Sequence, residues 1–153
     1  GSESMLLVSM GGMAIHFLLS EVPRTGRATV GVKGMTLSPG DSVRFAFQHN
    51  SEGELLLATD RGNLTRCLLV DFDPQARGGK GLKCINFLKN GTNGTRIAGA
   101  MEVKQPVEVG LWQHSGQMTR LNSDWVKIEL RPGKGQPFVV AVLDDVVEEM
   151  FRV

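Results

Sequence analysis

Short apolar runs bounded by glycine recur along the chain. LLVSM precedes Gly11, LLLAT precedes the glycine at 62, LTRCLLV follows it, and VVAVL lies near the C-terminus. Runs of this length between turn residues are typical of β-strands. LATDRGNLTR, SMGGMAIH and QHSGQMTR each place a glycine between two such runs, as in a β-hairpin. The pattern therefore predicts a nearly all-β chain built from hairpins.

The predicted hairpins repeat in register. Their central glycines, called hairpin glycines below, are Gly12, Gly62 and Gly116. Four residues after each comes a basic or imidazole side chain: His16, Arg66 and Arg120. Fifteen residues after each comes an arginine that opens an R-x-x-x-G sequence: Arg27, Arg77 and Arg131. Successive hairpin glycines are 50 and 54 residues apart, which is a period typical of propeller blades.

The repeat predicts an all-β fold of three blades, each with about four antiparallel strands. The blades are expected over residues 5–50, 54–103 and 107–153, after an expression remnant at residues 1–4, with linkers at 48–53 and 104–106. VKGMTL, LKCINF and PFVVAVL are interpreted as further strands that follow the R-x-x-x-G sequences. The last segment, VLDDVVEEMFRV, also has a helical apolar face, but TRIAGAMEV occupies the same place in the second repeat and is strand-like. A strand is therefore predicted there.

Composition excludes several classes of protein. The 153 residues are 41% hydrophobic and 22% charged, and no apolar run approaches a membrane span. Tyrosine is absent, so chemistry that needs a phenolic nucleophile is excluded, and we expect no enzymatic activity and no cofactor for this chain itself. No secretion signal is recognisable, so a cytoplasmic location is expected.

Metal binding is also not indicated. Cys67 and Cys84 lack a CxxC pattern and are expected to be buried, reduced thiols. The three histidines are far apart in sequence, without ligand spacing, and are expected at the surface or half buried. The two tryptophans are expected in the core or between blades, because so few aromatic residues argue against base stacking.

Charge is distributed unevenly although the formal net charge is only +1. Basic clusters without acidic residues lie at 24–33 and 77–89, at equivalent places in the repeat, whereas acidic residues gather at 71–73 and 144–149. Lysine and arginine next to flexible glycines, as in RGGKG, suit contact with successive phosphates of duplex DNA, and the glycines are expected to expose their backbone amides to the phosphates. The pattern therefore predicts a basic edge along the closed array of blades.

The second repeat carries a segment with a family resemblance. Residues 75–81, QARGGKG, resemble the glutamine-arginine-arginine-glycine-glycine-lysine-glycine box of the C-terminal domain of bacterial type IIA topoisomerase A subunits, with Ala76 in place of one arginine. AIHFLLSEVPRTGRATVGVKGMTLSPGDSV in the first repeat is similar to the blade pattern of that family. The resemblance is closer to the gyrase A type, and a topoisomerase IV A subunit remains an alternative. In gyrase A the box usually lies in the first blade.

The resemblance implies a partial β-pinwheel, a propeller-like disc in which neighbouring blades exchange strands and whose basic rim wraps duplex DNA. It implies a parent type II topoisomerase that hydrolyses ATP and a location at the nucleoid. The partners it implies are the remainder of the A subunit, together with an ATPase B subunit. The candidate DNA-binding residues are Gln75, Arg77, Gly78, Gly79, Lys80, Lys83, Arg24, Arg27, Lys33, Arg131 and Lys134.

Two further expectations follow from the repeat itself. An array of three blades exposes apolar faces at both ends, so either the array is part of a longer chain with more blades, or two copies pair head to tail, or other partners cover the ends of an open array. Self-association is expected on this ground. The alternative function is a propeller-type protein-interaction module without DNA binding.

Overall fold

The computed structural model describes residues 3–22, 33–49, 52–140 and 144–153. These ranges hold eleven β-strands in three antiparallel sheets and no α-helix, which confirms the predicted all-β fold. No helix of the described ranges is long and apolar enough to cross a membrane. A single 3-10 turn follows the second strand of each hairpin: Leu19–Glu21, Leu69–Asp71 and Ser123–Trp125.

Each repeat contributes a hairpin and one further long strand to its sheet. The first sheet contains β1 (Ser4–Ser9), β2 (Met13–Leu18) and β3 (Val43–His49). The second contains β4 (Glu54–Thr59), β5 (Asn63–Leu68) and β7 (Ile97–Val103). The third contains β8 (Glu108–Gln113), β9 (Met118–Asn122) and β11 (Val147–Arg152). All three hairpin glycines have positive φ, at 86°, 78° and 93°, a conformation that favours glycine.

Neighbouring sheets exchange strands. β6 (Leu82–Lys83) belongs to the second repeat but pairs with β2, and β10 (Gln136–Pro137) belongs to the third repeat but pairs with β5. The sheet orders are therefore β3-β1-β2-β6, β10-β5-β4-β7 and β11-β8-β9. We call residues 75–84 and 129–138, which run along the edge of the preceding sheet, the exchange segments.

The exchanged strands are shorter than the sequence suggests. LKCINF contributes two residues to a strand and PFVVAVL contributes only Pro137, and the described part of VKGMTL, residues 33–37, forms no strand. The exchange segments contain several glycines and prolines, which interrupt ladder hydrogen bonds. Residues 141–143 of the predicted terminal strand lie outside the described residues.

The C-terminal segment is a strand, as predicted. β11 pairs antiparallel with β8, and its Met150 lies against Gly99 of β7. A side chain at residue 99 would overlap Met150, so the glycine permits the close approach of the second and third sheets. The third sheet has three strands in the described ranges, and the edge of β9 carries no exchanged strand there.

Two apolar clusters fill the spaces between sheets. The first includes Leu6, Leu55 and Leu57 between the first and second sheets, and the second includes Leu56 and Leu111 between the second and third. A smaller cluster around Ile15, Phe17 and Met35 covers the opposite face of the first sheet.

Both cysteines are buried and free, as expected. Cys67 and Cys84 belong to the first cluster. Burial raises the pKa of the Cys67 thiol to about 12 and raises that of Cys84, so both remain protonated and unreactive.

Candidate nucleic-acid interface

The first exchange segment is fastened to the edge of β2 by backbone hydrogen bonds. The amide of Gln75 donates to His16 O at 2.7 Å, and the amide of Cys84 donates to Gly12 O at 2.8 Å. Gly81, at φ 80°, lies against the Ala14 carbonyl, where a Cβ would overlap the backbone. The box-like residues 75–81 therefore form the outer edge of the first sheet.

The arginine of this segment ties it to the preceding repeat. Arg77 Nε donates to Glu21 O at 3.2 Å, its Nη1 donates to Lys33 O at 2.7 Å, and its amide donates to Glu21 Oε1 at 3.2 Å. Nη2 has no hydrogen-bond partner among the described residues. The guanidinium is thus an internal anchor that keeps one end free for an external anion.

The second exchange segment repeats this arrangement at equivalent positions. Arg131 Nη2 donates to Asp71 O at 3.2 Å, its Nη1 lies 3.5 Å from Lys83 O, and its guanidinium lies over the Phe72 ring at 5.0 Å. Sequence reasoning assigned both arginines to phosphate contact and did not predict the anchoring role. The signal for the anchoring role was the constant spacing of both arginines from their hairpin glycines, because a constant spacing implies an equivalent partner within the protein.

The glycine amides of the box-like segment are used within the protein. Gly78 N donates to Gly34 O at 2.8 Å, and Gly79 N donates to Ala76 O at 3.2 Å. The expectation that these amides are exposed toward phosphates is therefore wrong, because the tight turn closes its own hydrogen bonds. Gly78 contributes its positive φ of 90°, which allows the turn.

Lysines remain the accessible cations of the two exchange segments. Lys80, Lys83 and Lys134 are all exposed, as is Lys33, which lies in the first repeat outside these segments. Lys80 makes no hydrogen bond or ion pair with any described residue, and Lys83 Nζ lies 3.3 Å from Asn86 Oδ1. Lys80 and Lys134 occupy the same place in the repeat, so they lie on equivalent edges of neighbouring sheets. Arg24 and Arg27 lie outside the described residues.

Among the described residues, more acidic groups lie around the second exchange segment than around the first, where Glu21 Oε1 accepts from Arg77 N at 3.2 Å. Arg131 lines an open notch together with Asp71 and Asp73. Glu129 Oε1 accepts hydrogen bonds from Thr65 Oγ1 at 2.8 Å and Gly135 N at 3.2 Å. The box-like segment of the second repeat is consequently the more favourable place for a phosphate.

Two histidines are more buried than expected. His16 and His49 are each 4% exposed, and their rings meet edge to face with centroids 4.5 Å apart. Folding brings them together across β1, which the sequence separation concealed. The described ranges contain no group of three or more histidine, cysteine, aspartate or glutamate side chains that could hold a metal ion.

The tryptophans are more exposed than expected. Trp112 is 43% exposed on the outer face of the third sheet, and Trp125 is 64% exposed after β9. Trp125 follows β9, whose edge carries no exchanged strand in the described ranges, whereas Trp112 lies on the central strand β8.

Three antiparallel sheets joined by strand exchange define a propeller-like fold. The family model described as DNA gyrase C-terminal domain, beta-propeller, matches residues 3–50 and 53–93, more than half of the chain. The chain belongs to this family.

Relatives in the same family are much longer. The chain is 31% identical over 153 residues to the DNA gyrase A subunit of Pseudomonas aeruginosa, covering all of this chain and 16% of the relative. It is 35% identical over 100 residues to the DNA topoisomerase 4 A subunit of Streptococcus pyogenes, covering 65% of this chain and 12% of the relative.

Solved structures share the fold. The C-terminal domain of DNA topoisomerase IV superimposes with a TM-score of 0.89 at 24% identity, covering 100% of this chain and 47% of that one. The DNA gyrase A C-terminal domain gives a TM-score of 0.85 at 22% identity, covering 99% of this chain and 50% of that one. The chain thus spans about half the length of these domains.

Proposed function

We propose that this chain binds duplex DNA without reading its sequence, along the sheet edges formed by the exchange segments, and bends or wraps it. The observation that carries the proposal is the box-like segment 75–81, which is held rigidly at the outer edge of the first sheet with Lys80 exposed and unpaired among the described residues. Because this backbone is already ordered, only the lysine side chain has to be ordered when it contacts a phosphate.

Several candidate residues have distinct roles in this proposal. Lys80, Lys83, Lys33 and Lys134 contact phosphates directly, together with the free end of Arg77. Gln75, Gly78 and Gly79 shape the turn that carries Lys80. Phosphate contacts fix the position of the duplex and carry no sequence information, so binding is expected to be indifferent to sequence. Arg131 anchors the second exchange segment, and Arg24 and Arg27, which lie outside the described residues, remain candidate phosphate contacts.

The function in the parent protein follows from the family. We propose that the chain is part of the A subunit of a type II DNA topoisomerase, an isomerase that uses ATP to change DNA supercoiling in the bacterial cytoplasm, at the nucleoid. Its partners are then the remainder of the A subunit, together with the ATPase B subunit. The chain contains no tyrosine, so a tyrosine nucleophile for strand cleavage has to come from elsewhere.

Salt dependence of duplex binding tests the proposal. Lys80→Ala is expected to flatten the plot of log affinity against log salt by about 0.9, the value for one lost phosphate contact, with equal effect on unrelated duplexes. Adding Lys83→Ala is expected to bring the loss of slope close to 2, at about 0.9 per contact.

Lys104→Ala is the matched control. Lys104 is also exposed and its replacement removes the same charge, but it follows β7 at the opposite edge of the second sheet from its exchanged strand. If Lys80→Ala and Lys104→Ala weaken binding equally, or if neither changes the slope, the proposed edge is not the interface. Wrapping is tested separately by ligating nicked circular DNA with the protein bound. A linking number equal to that of DNA ligated without the protein would argue against wrapping.

The alternative protein-interaction module predicts a different result. Association with a protein through an apolar surface falls little with salt, whereas phosphate binding falls steeply. Absence of duplex binding at low salt would therefore leave the interaction module as the better assignment.

A further inference from the structure

The loop between β6 and β7 contains the same tripeptide twice. Residues 90–92 and residues 93–95 both read Asn-Gly-Thr. An asparagine followed by glycine is the sequence most prone to form a cyclic imide, because glycine has no side chain to hinder attack of its backbone nitrogen on the asparagine amide. The two asparagines therefore start from nearly the same local reactivity, and a difference between them comes from the tertiary structure.

The side chain of Asn90 is exposed, and only its oxygen is hydrogen-bonded. Thr92 N donates to Asn90 Oδ1 at 3.1 Å, and Thr92 Oγ1 donates to the same oxygen at 2.9 Å. Asn90 Nδ2 has no hydrogen-bond partner among the described residues. A Cβ at Gly91 would meet only Thr95 Cγ2, at 3.7 Å, so the surroundings of this glycine are open.

The side chain of Asn93 is held on both of its polar atoms. The residue is 3% exposed, and its Oδ1 accepts from Leu88 N at 2.8 Å. Its Nδ2 donates to Asn86 O at 2.8 Å and to Lys134 O at 2.9 Å. The amide nitrogen that would have to leave is therefore fixed by two buried hydrogen bonds.

The residues that follow Asn93 are fixed as well. Thr95 N donates to Asp60 Oδ1 at 2.8 Å, and Thr95 Oγ1 donates to Asp60 Oδ2 at 2.9 Å. Both donors are thus used away from Asn93, whereas the equivalent donors of Thr92 contact Asn90. A Cβ at Gly94 would overlap the side chain of Thr59, so this glycine packs closely against the end of β4.

Backbone hydrogen bonds do not distinguish the two tripeptides. Gly91 N donates to Leu88 O at 3.0 Å, and Gly94 N donates to Gly91 O at 3.1 Å. Each bond has to break before the glycine nitrogen can attack. The difference between the two asparagines therefore lies in their side chains and in the packing around them.

We propose that Asn90 is a site of spontaneous deamidation and that the fold protects Asn93. The backbone nitrogen of Gly91 bonds to Asn90 Cγ and loses its proton to water, while the Cγ–Nδ2 bond breaks and the amide leaves as ammonia with a proton taken from water. A water molecule then opens the cyclic imide at either carbonyl, which gives aspartate or isoaspartate at residue 90. The amide and hydroxyl of Thr92 stabilise the negative charge that develops on Oδ1 during the attack.

Conversion of Asn90 changes the charge of the loop. A neutral amide becomes a carboxylate, so the formal net charge falls by one from +1. The new carboxylate follows exposed Lys89, on a loop whose Asn86 amide donates to Gly133 O of the second exchange segment at 2.8 Å. We expect the converted chain to bind duplex DNA less tightly at low salt. This consequence rests on the proposed function, whereas the modification does not.

Peptide mapping by mass spectrometry tests the modification. The folded chain is incubated at neutral pH and digested with trypsin, which releases residues 90–96 as one peptide whose fragment ions distinguish the two asparagines. After subtraction of a sample digested at time zero, Asn90 is expected to convert at least about ten times faster than Asn93, because two buried hydrogen bonds of the Asn93 amide must break first. In concentrated urea the two rates are expected to be similar, because the tripeptides are identical.

Two outcomes would overturn the proposal. One is conversion of Asn93 in the folded chain as fast as that of Asn90 or faster. The other is an Asn90 that stays unconverted in the folded chain over the time in which it converts in urea. Asn90→Gln is the control for the assignment, because the larger ring that glutamine would have to form closes much more slowly.

The part played by Thr92 is tested with two variants at this exposed position. Thr92→Val removes the hydroxyl and keeps the backbone amide, and it is expected to slow conversion of Asn90 by about threefold to tenfold. Thr92→Ser keeps the hydroxyl and is expected to convert at the rate of the unmodified chain. Equal rates in all three chains would show that the hydroxyl gives no assistance.

Duplex binding tests the consequence separately. The unmodified chain and Asn90→Asp are compared at low and high salt, and the variant is expected to lose affinity at low salt and to match the unmodified chain at high salt. If the unmodified chain does not bind DNA, the proposed function fails and the mass spectrometry still decides the modification. If both chains bind equally at low salt, the consequence is wrong.

Discussion

The two internal junctions share a backbone arrangement but use different side chains. At the first junction Gln75 N donates to His16 O at 2.7 Å, and at the second Glu129 N donates to Arg66 O at 2.8 Å. The hydrogen bonds from the end of each exchange segment to the carbonyl of a hairpin glycine are also similar. Cys84 N donates to Gly12 O at 2.8 Å, and Phe138 N donates to Gly62 O at 3.0 Å. Only the side chain that reaches the next repeat differs, as imidazole in one and guanidinium in the other.

The first junction is a hydrogen-bonded network of two histidines, a serine and the carboxylate of Glu102. Ser4 Oγ donates to His49 O at 2.6 Å and lies 2.8 Å from His16 Nε2, while His49 Nδ1 lies 2.6 Å from Glu102 Oε2. Burial lowers the pKa of His49 below its usual value, more than the hydrogen bond and charge of Glu102 raise it.

The second junction holds a permanent charge. The Arg66 side chain is 11% exposed and lies 3.0 Å from Glu54 and 3.3 Å from Asp124, in addition to its bond to Val126 O. The comparison shows that the residue four positions after the hairpin glycine donates a hydrogen bond to the carbonyl of the next repeat at both junctions. The charge of that residue differs between the junctions. A consequence is that pH affects the first junction more than the second.

Removal of the arginine at the second junction is expected to have the largest effect. Arg66→Ala leaves Glu54 and the Val126 carbonyl without their donor in a largely buried site, and we expect the free energy of unfolding to fall by about 3 kcal/mol. Urea denaturation measures the change. Arg120→Ala is the control, because Arg120 is the equivalent of Arg66 in the third repeat and has no partner among the described residues. At concentrations where the chain does not associate, this change should alter the free energy of unfolding by less than about 0.5 kcal/mol. Equal losses would contradict the junction role.

Removal of the imidazole at the first junction is expected to cost less. His16→Ala leaves the buried Phe72 carbonyl without its partner, whereas Ser4 Oγ keeps its hydrogen bond to His49 O at 2.6 Å. We expect a loss of about 2 kcal/mol by the same measurement, since no buried charge is left unpaired. His114→Ala, at an exposed histidine, is expected to be close to neutral. A loss of unfolding free energy larger than that of Arg66→Ala would contradict the expected order of the two junctions.

The first junction is also expected to weaken in mild acid. Because the pKa of His49 is lower in the folded chain than its usual 6.5, the unfolded chain binds this proton first as pH falls. Its contribution to stability is therefore complete above pH 6.5 and is lost as pH falls from 6.5 through the folded pKa. His16 and Glu102 are the titratable groups that face it. Hydrogen exchange at about pH 7.5 and about pH 5 should show more loss of protection in β3 than in β11, and His49→Gln should reduce the difference.

The smallest effect concerns the individual histidine titrations. The hydrogen bond and charge of Glu148 raise the pKa of exposed His114 above 6.5, in contrast to His49. A proton NMR titration should therefore resolve one imidazole below and one above 6.5. Glu148→Gln should return the pKa of His114 toward 6.5 and leave that of His49 unchanged. The His114 pair contributes stability below pH 6.5 that is lost as pH rises through its folded pKa, opposite in sign to His49.

Local features of the fold were predictable from the sequence. The hairpins at Gly12, Gly62 and Gly116 depend on a positive φ that glycine supports, and the short apolar runs beside them pair within the same repeat. The strand at Val147–Arg152 was predicted correctly because a strand-like segment holds the same place in the second repeat. The family was recognisable for the same reason, since repeat spacing and box are properties of the chain itself.

The candidate interface was predictable in position but not in detail. The fixed place of RGGKG after the hairpin located the exposed Lys80, yet the anchoring bonds of Arg77 to Glu21 and Lys33 were not foreseen. Those bonds join atoms 56 and 44 residues apart in the chain, and no local pattern specifies such partners.

The sequence by itself determined the repeat, the hairpins and the all-β class, because each depends on residues close together in the chain. Only the tertiary structure decided which sheet receives each exchanged strand, and so which equivalent positions are buried. Trp112 and Ala58 occupy the same place in the repeat, but one is exposed and the other buried, because burial depends on whether another sheet lies against that face.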